Sequence, residues 1–165
     1  NVATQTGIKI ISWHGRCEVH ERFTADDIEE LRVAHPGVVV LAHPECPQDV
    51  MAAADFAGST AAMQDYVVEK RPGKVVLLTE CSMSDNVAAA APDVDFVRPC
   101  NLCPHMKRIT LEGIYDALVN MQHEVTIAED VRERAKRAIQ RMLDLPKEKP
   151  RAFETGRPEV AVELV

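Results

Sequence analysis

The run Val38-Val39-Val40-Leu41-Ala42 constrains this chain more than any other stretch, because it is unbroken apolar sequence with no polar residue interposed. A half-exposed strand alternates apolar with polar residues. A continuous run needs cover on both faces, which a parallel sheet between helices supplies. Pro36-Gly37 stands immediately before it and stops whatever helix precedes. Lys74-Val75-Val76-Leu77-Leu78 repeats the arrangement after Pro72-Gly73. Between these runs lie helix signals. Thr24-Ala25-Asp26-Asp27 opens a helix as a capping box, and the helix runs through Leu31 to His35. Pro47 suits the first turn of a helix through Met51 and Ala54. Gly58-Ser59-Thr60 starts another, ending near Arg71.

The same alternation extends outward. Ile8-Lys9-Ile10-Ile11-Ser12-Trp13 reads as a first strand, and Asp95-Phe96-Val97 as a short last one. A helix through Asn86 to Ala91 separates Leu78 from Asp95. Thr110 can cap a helix through Leu111, Ile114 and Leu118, and Thr126 a longer amphipathic one through Ile127, Val131, Ala135, Ile139 and Met142. The expected class is α/β. Residues 1–73 and 74–145 are expected to form one unit each, and residues 146–165, rich in Pro, Lys and Glu, a tail or extension. Strands near 8–13 and 74–79 open similar βαβα patterns, a hint of internal repetition without a residue motif at a fixed offset.

Composition narrows the function classes. With 165 residues, 46% of them hydrophobic, the chain can bury a core. A net charge of -7 and only seven aromatic side chains argue against nucleic acid or an acidic membrane surface as partner. The sequence begins at Asn1 with neither a basic leader nor a run long enough to span a bilayer, so no signal peptide or membrane helix is expected. The absence of an initiator Met is compatible with a piece of something longer. Five cysteines with a single Cys-x-x-Cys do not suggest a secreted disulfide framework. Reduced thiols in a cytoplasmic protein fit better.

Chemistry-bearing residues gather just after the predicted strands, the edge at which open α/β sheets bind ligands. Cys17 lies three residues before His20, and Cys100-Asn101-Leu102-Cys103-Pro104 follows the last strand. Cys-x-x-Cys serves zinc, iron–sulfur clusters and thiol redox chemistry alike. A zinc ribbon would need a second pair, and a thioredoxin-like pair would come early, at a helix start. Cys17 taken alone reads equally well as a buried free thiol. His43-Pro44-Glu45 holds an imidazole near a carboxylate, a pairing that can divide acid and base roles, although a histidine after a strand is often only a turn residue. Gly58-Ser59-Thr60 offers backbone N–H groups and hydroxyls to an anion, or simply caps a helix. Cys46 and Cys81 have no evident partners and read as structural.

Taken in order, Gly15-x-Cys17-x-x-His20, His43-Pro44-Glu45-x-Pro47, Gly58-Ser59-Thr60 and Cys100-x-x-Cys103-Pro104-x-Met106-Lys107 resemble the second half of quinolinate synthase, over residues 1–145. The resemblance implies three-layer αβα sandwich units with short parallel sheets, related by pseudo-threefold symmetry in the whole enzyme. It implies condensation of iminoaspartate with dihydroxyacetone phosphate to quinolinate, for NAD synthesis, and a [4Fe–4S] cluster held by one cysteine from each unit. Cys17 and Cys103 match metal ligands, whereas Cys100 matches a cysteine found in only some members and Cys46 a serine position. His43, Pro44, Glu45 and Thr60 match substrate-binding positions. His20 matches an active-site histidine, and Glu45 is the expected general base, with His20 and His43 as its catalytic companions. The loop Thr79-Glu80-Cys81 lacks a glycine expected soon after Thr-Glu. The first cluster cysteine and the N-terminal substrate residues are missing, so the N-terminal half is an implied partner, with a homodimer left open. A non-catalytic metal module and a Cys100/Cys103 thiol oxidoreductase are the alternatives.

Overall fold

Both faces of the run at 38–42 are covered in the computed structural model, which describes residues 1–99 and 101–145. β1 (Val39–Ala42) is buried at all of its positions. It is flanked by β2 (Phe56–Ala57) on one side and β3 (Lys74–Leu78) on the other, and β4 (Asp95–Val97) completes the order β2-β1-β3-β4, all parallel. Because successive side chains point to opposite faces, Val40, Ala42, Val76 and Leu78 enter one apolar cluster, and Val39, Leu41, Val75 and Leu77 enter the other. Ile28 of α2 (Ala25–Ala34) and Val50 and Met51 of α3 (Gln48–Ala53) cover the first face. Met63 and Val67 of α4 (Thr60–Lys70) and Val87 of α5 (Ser82–Ala90) cover the second. The result is an αβα sandwich, as the alternation predicted.

The helix signals hold where side chains can reach backbone groups locally. Thr24 Oγ1 accepts the Asp27 N–H at 3.1 Å and Asp27 returns a bond to the Thr24 N–H at 2.7 Å, a complete capping box. Ser59 caps α4 by accepting the Ala62 N–H at 3.2 Å, and Thr110 caps α6 (Leu111–Val119) by accepting that of Gly113 at 3.0 Å. Residues 1–103 form one compact unit and a second begins at Pro104. A single sheet runs through residue 73 without a break. The second unit carries α6 and α7 (Glu129–Asp144), with Ile114, Leu118, Ile139 and Met142 exposed.

Three expectations are corrected. Ile8–Trp13 is not a strand: it has no pairing partner among the described residues, and Ile11 and Trp13 are 94% and 88% exposed. β-branched composition alone does not make a strand without a neighbour to bond to. A short helix, α1 (Val2–Thr6), precedes it instead. Thr126 does not cap α7, which starts at Glu129 after Ala128 without any side-chain cap. Glu129 and Asp130 place negative charge against its N-terminal dipole instead. Cys81, expected to lack a partner, is disulfide-bonded. Cys100 and the expected tail at 146–165 lie outside the described residues.

One polar lock holds the start of the sheet. Asp55, whose side chain is 1% accessible, accepts the Val40 N–H at 2.8 Å and pairs with Arg32 Nη2 at 3.0 Å. Arg32 in turn donates to the carbonyls of Ala53 and Val38. Asp55→Ala would leave the Arg32 charge and the Val40 N–H unpaired, a loss on the order of 3–5 kcal/mol. Denaturant unfolding of the full-length variant is expected to show it.

Candidate active site

The strand order reverses direction at β1. From β1 the chain crosses by α3 to β2 on one side, then returns by α4 to β3 on the other. That switch point, between the C-terminal ends of β1 and β3, is where such sheets form the crevice that binds ligands. The ends are level, with Ala42 opposite Leu78. His43 N–H donates to the Leu78 carbonyl at 3.3 Å, so His43-Pro44-Glu45 leaves the sheet beside Thr79-Glu80.

A turn supplies the other wall. Glu21 N–H bonds the Cys17 carbonyl at 3.0 Å, and a single 3₁₀ turn follows over His20–Arg22. Val19 and Phe23 are buried and anchor it. Cys17 precedes this turn, and its carbonyl bond to Glu21 folds it back so that its sulfur lies near His20. Within the site His20 Nδ1 lies 3.0 Å from Glu45 Oε2, and the His20 and His43 rings stack at 4.4 Å with 16° between planes. His43 Nδ1 accepts the Glu45 N–H at 3.3 Å. His20 Nε2 meets Thr79 Oγ1 at 3.0 Å. The expected catalytic residues Glu45, His20 and His43 thus converge, and Cys17 joins His20 and Glu45, their ligand atoms all lying within 4.8 Å of one another.

The remaining expected site residues stand on the same sheet edge. Pro44 is half-buried, and its carbonyl accepts Asn1 Nδ2 at 2.7 Å. Thr60 is exposed at the first turn of α4, beyond β2. A bridge between Glu80 and Asn101 extends the β3–β4 pairing toward Cys103, which is half-buried and outside any disulfide. Thr79 escaped the sequence reading as a site residue. Its place at a strand end was visible, but its pairing with His20, 59 positions away, leaves no local trace.

Two thiols fit an iron–sulfur group and one does not. Cys17 and Cys103 are partly accessible. Cys46 is buried, donates to the Leu78 carbonyl at 3.5 Å, and has its thiol pushed up by burial to about 12, which disfavours the thiolate that ligation needs.

Both site imidazoles are held below the ordinary value of 6.5. Burial is the chief cause for each. The neighbouring His20 lowers His43 further, and Glu45 partly restores both. The folded chain therefore binds these protons less readily than the unfolded chain. Stability is full above the unfolded value of about 6.5 and falls as pH drops below it. The unfolding midpoint is expected to decline between about pH 7 and pH 5, and His43→Gln to make that decline shallower.

The family model described as "Quinolinate synthetase A protein" matches residues 1–144. Quinolinate synthase 1 of Mesorhizobium japonicum is 69% identical over 143 residues, covering 87% of this chain and 44% of that protein. Quinolinate synthase of Caulobacter vibrioides is 64% identical over 146 residues, covering 88% and 40%. That of Sinorhizobium fredii is 53% identical over 145 residues. The chain thus spans less than half the length of these curated relatives. With the family model matching nearly all of the described residues, the chain belongs to the quinolinate synthetase A family.

Proposed function

We propose that the protein containing these residues is a cytoplasmic quinolinate synthase, joining iminoaspartate to dihydroxyacetone phosphate with loss of phosphate and water. This stretch would supply part of its active site. The observation that carries the reading is the convergence of Cys17, His20, His43 and Glu45 at the crevice of a chain from this family. No observation favours a non-catalytic metal module or a thiol oxidoreductase.

Cys17 and Cys103 would hold a [4Fe–4S] cluster together with a cysteine from the rest of the protein. Bound through three thiolates, such a cluster supplies an iron without a protein ligand that acts as a Lewis acid toward substrate oxygens. The remaining roles fall to the chain's own side chains. Glu45, with a 58% accessible carboxylate, would take a proton from substrate carbon during isomerisation and dehydration. His43 accepts a backbone N–H at Nδ1, so its neutral ring carries the proton at Nε2 and can donate it to a carboxylate or hydroxyl oxygen. His20, fixed by Thr79, would keep Glu45 oriented, its Nδ1 standing 3.0 Å from the carboxylate. Thr60 and the free N–H groups that open α4 suit a carboxylate or phosphate. In a chain of net charge -7, dianionic substrates need such local anion sites. The remaining cluster ligand and substrate contacts would come from the rest of the polypeptide, within a protein that can associate as a homodimer. These 165 residues alone would not make quinolinate.

In the full-length protein, Cys17→Ala and Cys103→Ala are each expected to abolish cluster assembly, whereas Cys46→Ser leaves it intact. Iron and sulfide analysis after anaerobic purification checks this, and normal content in either alanine variant would remove that residue from the ligand set. Glu45→Gln should keep the cluster and lower turnover by about 10²-fold or more. Wild-type turnover in that variant would leave Glu45 as a turn residue.

A further inference from the structure

We propose that Cys17, His20 and Glu45 form a binding site for a single divalent ion of the zinc type, open whenever the cluster is absent. A sulfur, a ring nitrogen and a carboxylate oxygen from these residues lie within 4.8 Å of one another. A second observation points to a ligand. His20 is only 6% exposed, and its Nδ1 has no well-formed hydrogen bond, facing only Glu45 Oε2 at 3.0 Å. Its Nε2, by contrast, is tied to Thr79 Oγ1 at 3.0 Å. One nitrogen anchored and the other turned toward a carboxylate is the disposition of a metal-ligating imidazole. A buried unpaired nitrogen is unfavourable, and ligation would satisfy it.

The donor set selects the ion. One thiolate, one imidazole and one carboxylate suit zinc and its neighbours rather than magnesium or calcium, which take oxygen ligands. Ligands about 2.0–2.3 Å from a tetrahedral ion stand roughly 3.3–3.8 Å apart, so His20 and Glu45, 3.0 Å apart, need almost no movement and Cys17 must approach them by at most about 1 Å. Glu45 is exposed and Cys17 only half-buried, so both can turn inward while His20 stays fixed. Three protein ligands leave a fourth position for water. The site shares only Cys17 with the cluster reading, so the single ion and the cluster exclude each other. The ion site stands whether or not the protein makes quinolinate.

The test uses the full-length protein, stripped of iron by chelation under anaerobic reducing conditions and titrated with Co²⁺ alone, then with Zn²⁺. One equivalent of Co²⁺ is expected to raise a thiolate-to-cobalt charge-transfer band that Zn²⁺ abolishes. Cys17→Ser should remove the band, and His20→Gln and Glu45→Gln should each weaken binding at least about 10-fold. Thr79→Val, which only releases His20 Nε2, should weaken it about 10–100-fold. Cys103→Ser should leave band and affinity unchanged. Absence of a stoichiometric band, wild-type affinity in Glu45→Gln, or loss of the band in Cys103→Ser would each overturn the assignment, the last by moving the ion to the two thiols. Circular dichroism establishes that each variant is folded. Should His20→Gln fail to fold, Glu45→Gln, altering an exposed side chain, decides alone.

Discussion

Parallel pairing of β1 with β3 is the interaction on which the rest of the structure depends. It levels the two strand ends, so that the segments leaving Ala42 and Leu78 run side by side. Several contacts of the site follow from that alignment: His43 N–H on the Leu78 carbonyl, Cys46 Sγ on the same oxygen, and His20 on Thr79. Both faces of each strand are apolar, so side-chain burial alone resists a one-residue slip only weakly. Asp55 provides the polar reference instead. Its carboxylate accepts the Val40 N–H and its own N–H donates to the Val40 carbonyl at 2.9 Å, fixing where β2 begins to pair.

Much of this was legible in the sequence, and the legible part is local. Unbroken apolar runs announced β1 and β3, Pro-Gly pairs their starts, and Thr24, Ser59 and Thr110 the helix caps, because each signal acts over a few residues. The convergence of His20, His43 and Glu45 was expected from resemblance, and for His43 and Glu45 also from their place after a strand, whereas the strand expected before His20 does not form. What was not legible depends on distant partners. Ile8–Trp13 has strand composition without a neighbour, and β2 is too short for any periodicity. Arg32 and Asp55 are 23 positions apart and look like ordinary surface charges until the fold closes over them. The pairing of Cys81 is of the same kind: a half-cystine and a structural thiol look identical along a chain.

The site also shows how one environment divides like groups into unlike roles. His20 and His43 are the same side chain, stacked on each other, yet one is held through Nε2 by a threonine and the other through Nδ1 by a backbone amide. Their free nitrogens therefore differ. Neither ring gains from a second positive charge beside it, so a charge on one opposes a charge on the other.

The burial of Cys46 has a chemical consequence. Its sulfur is near enough to Cys17 for that thiol to add to the upward shift. An ionised thiol there would be a rival nucleophile and a rival donor beside the crevice. With its proton retained and its S–H engaged by the Leu78 carbonyl, Cys46 should also be slow toward peroxide and alkylating reagents. Two sulfurs that are neighbours in space thereby acquire separate reactivities. The difference between them is written in solvent access and not in the residue type.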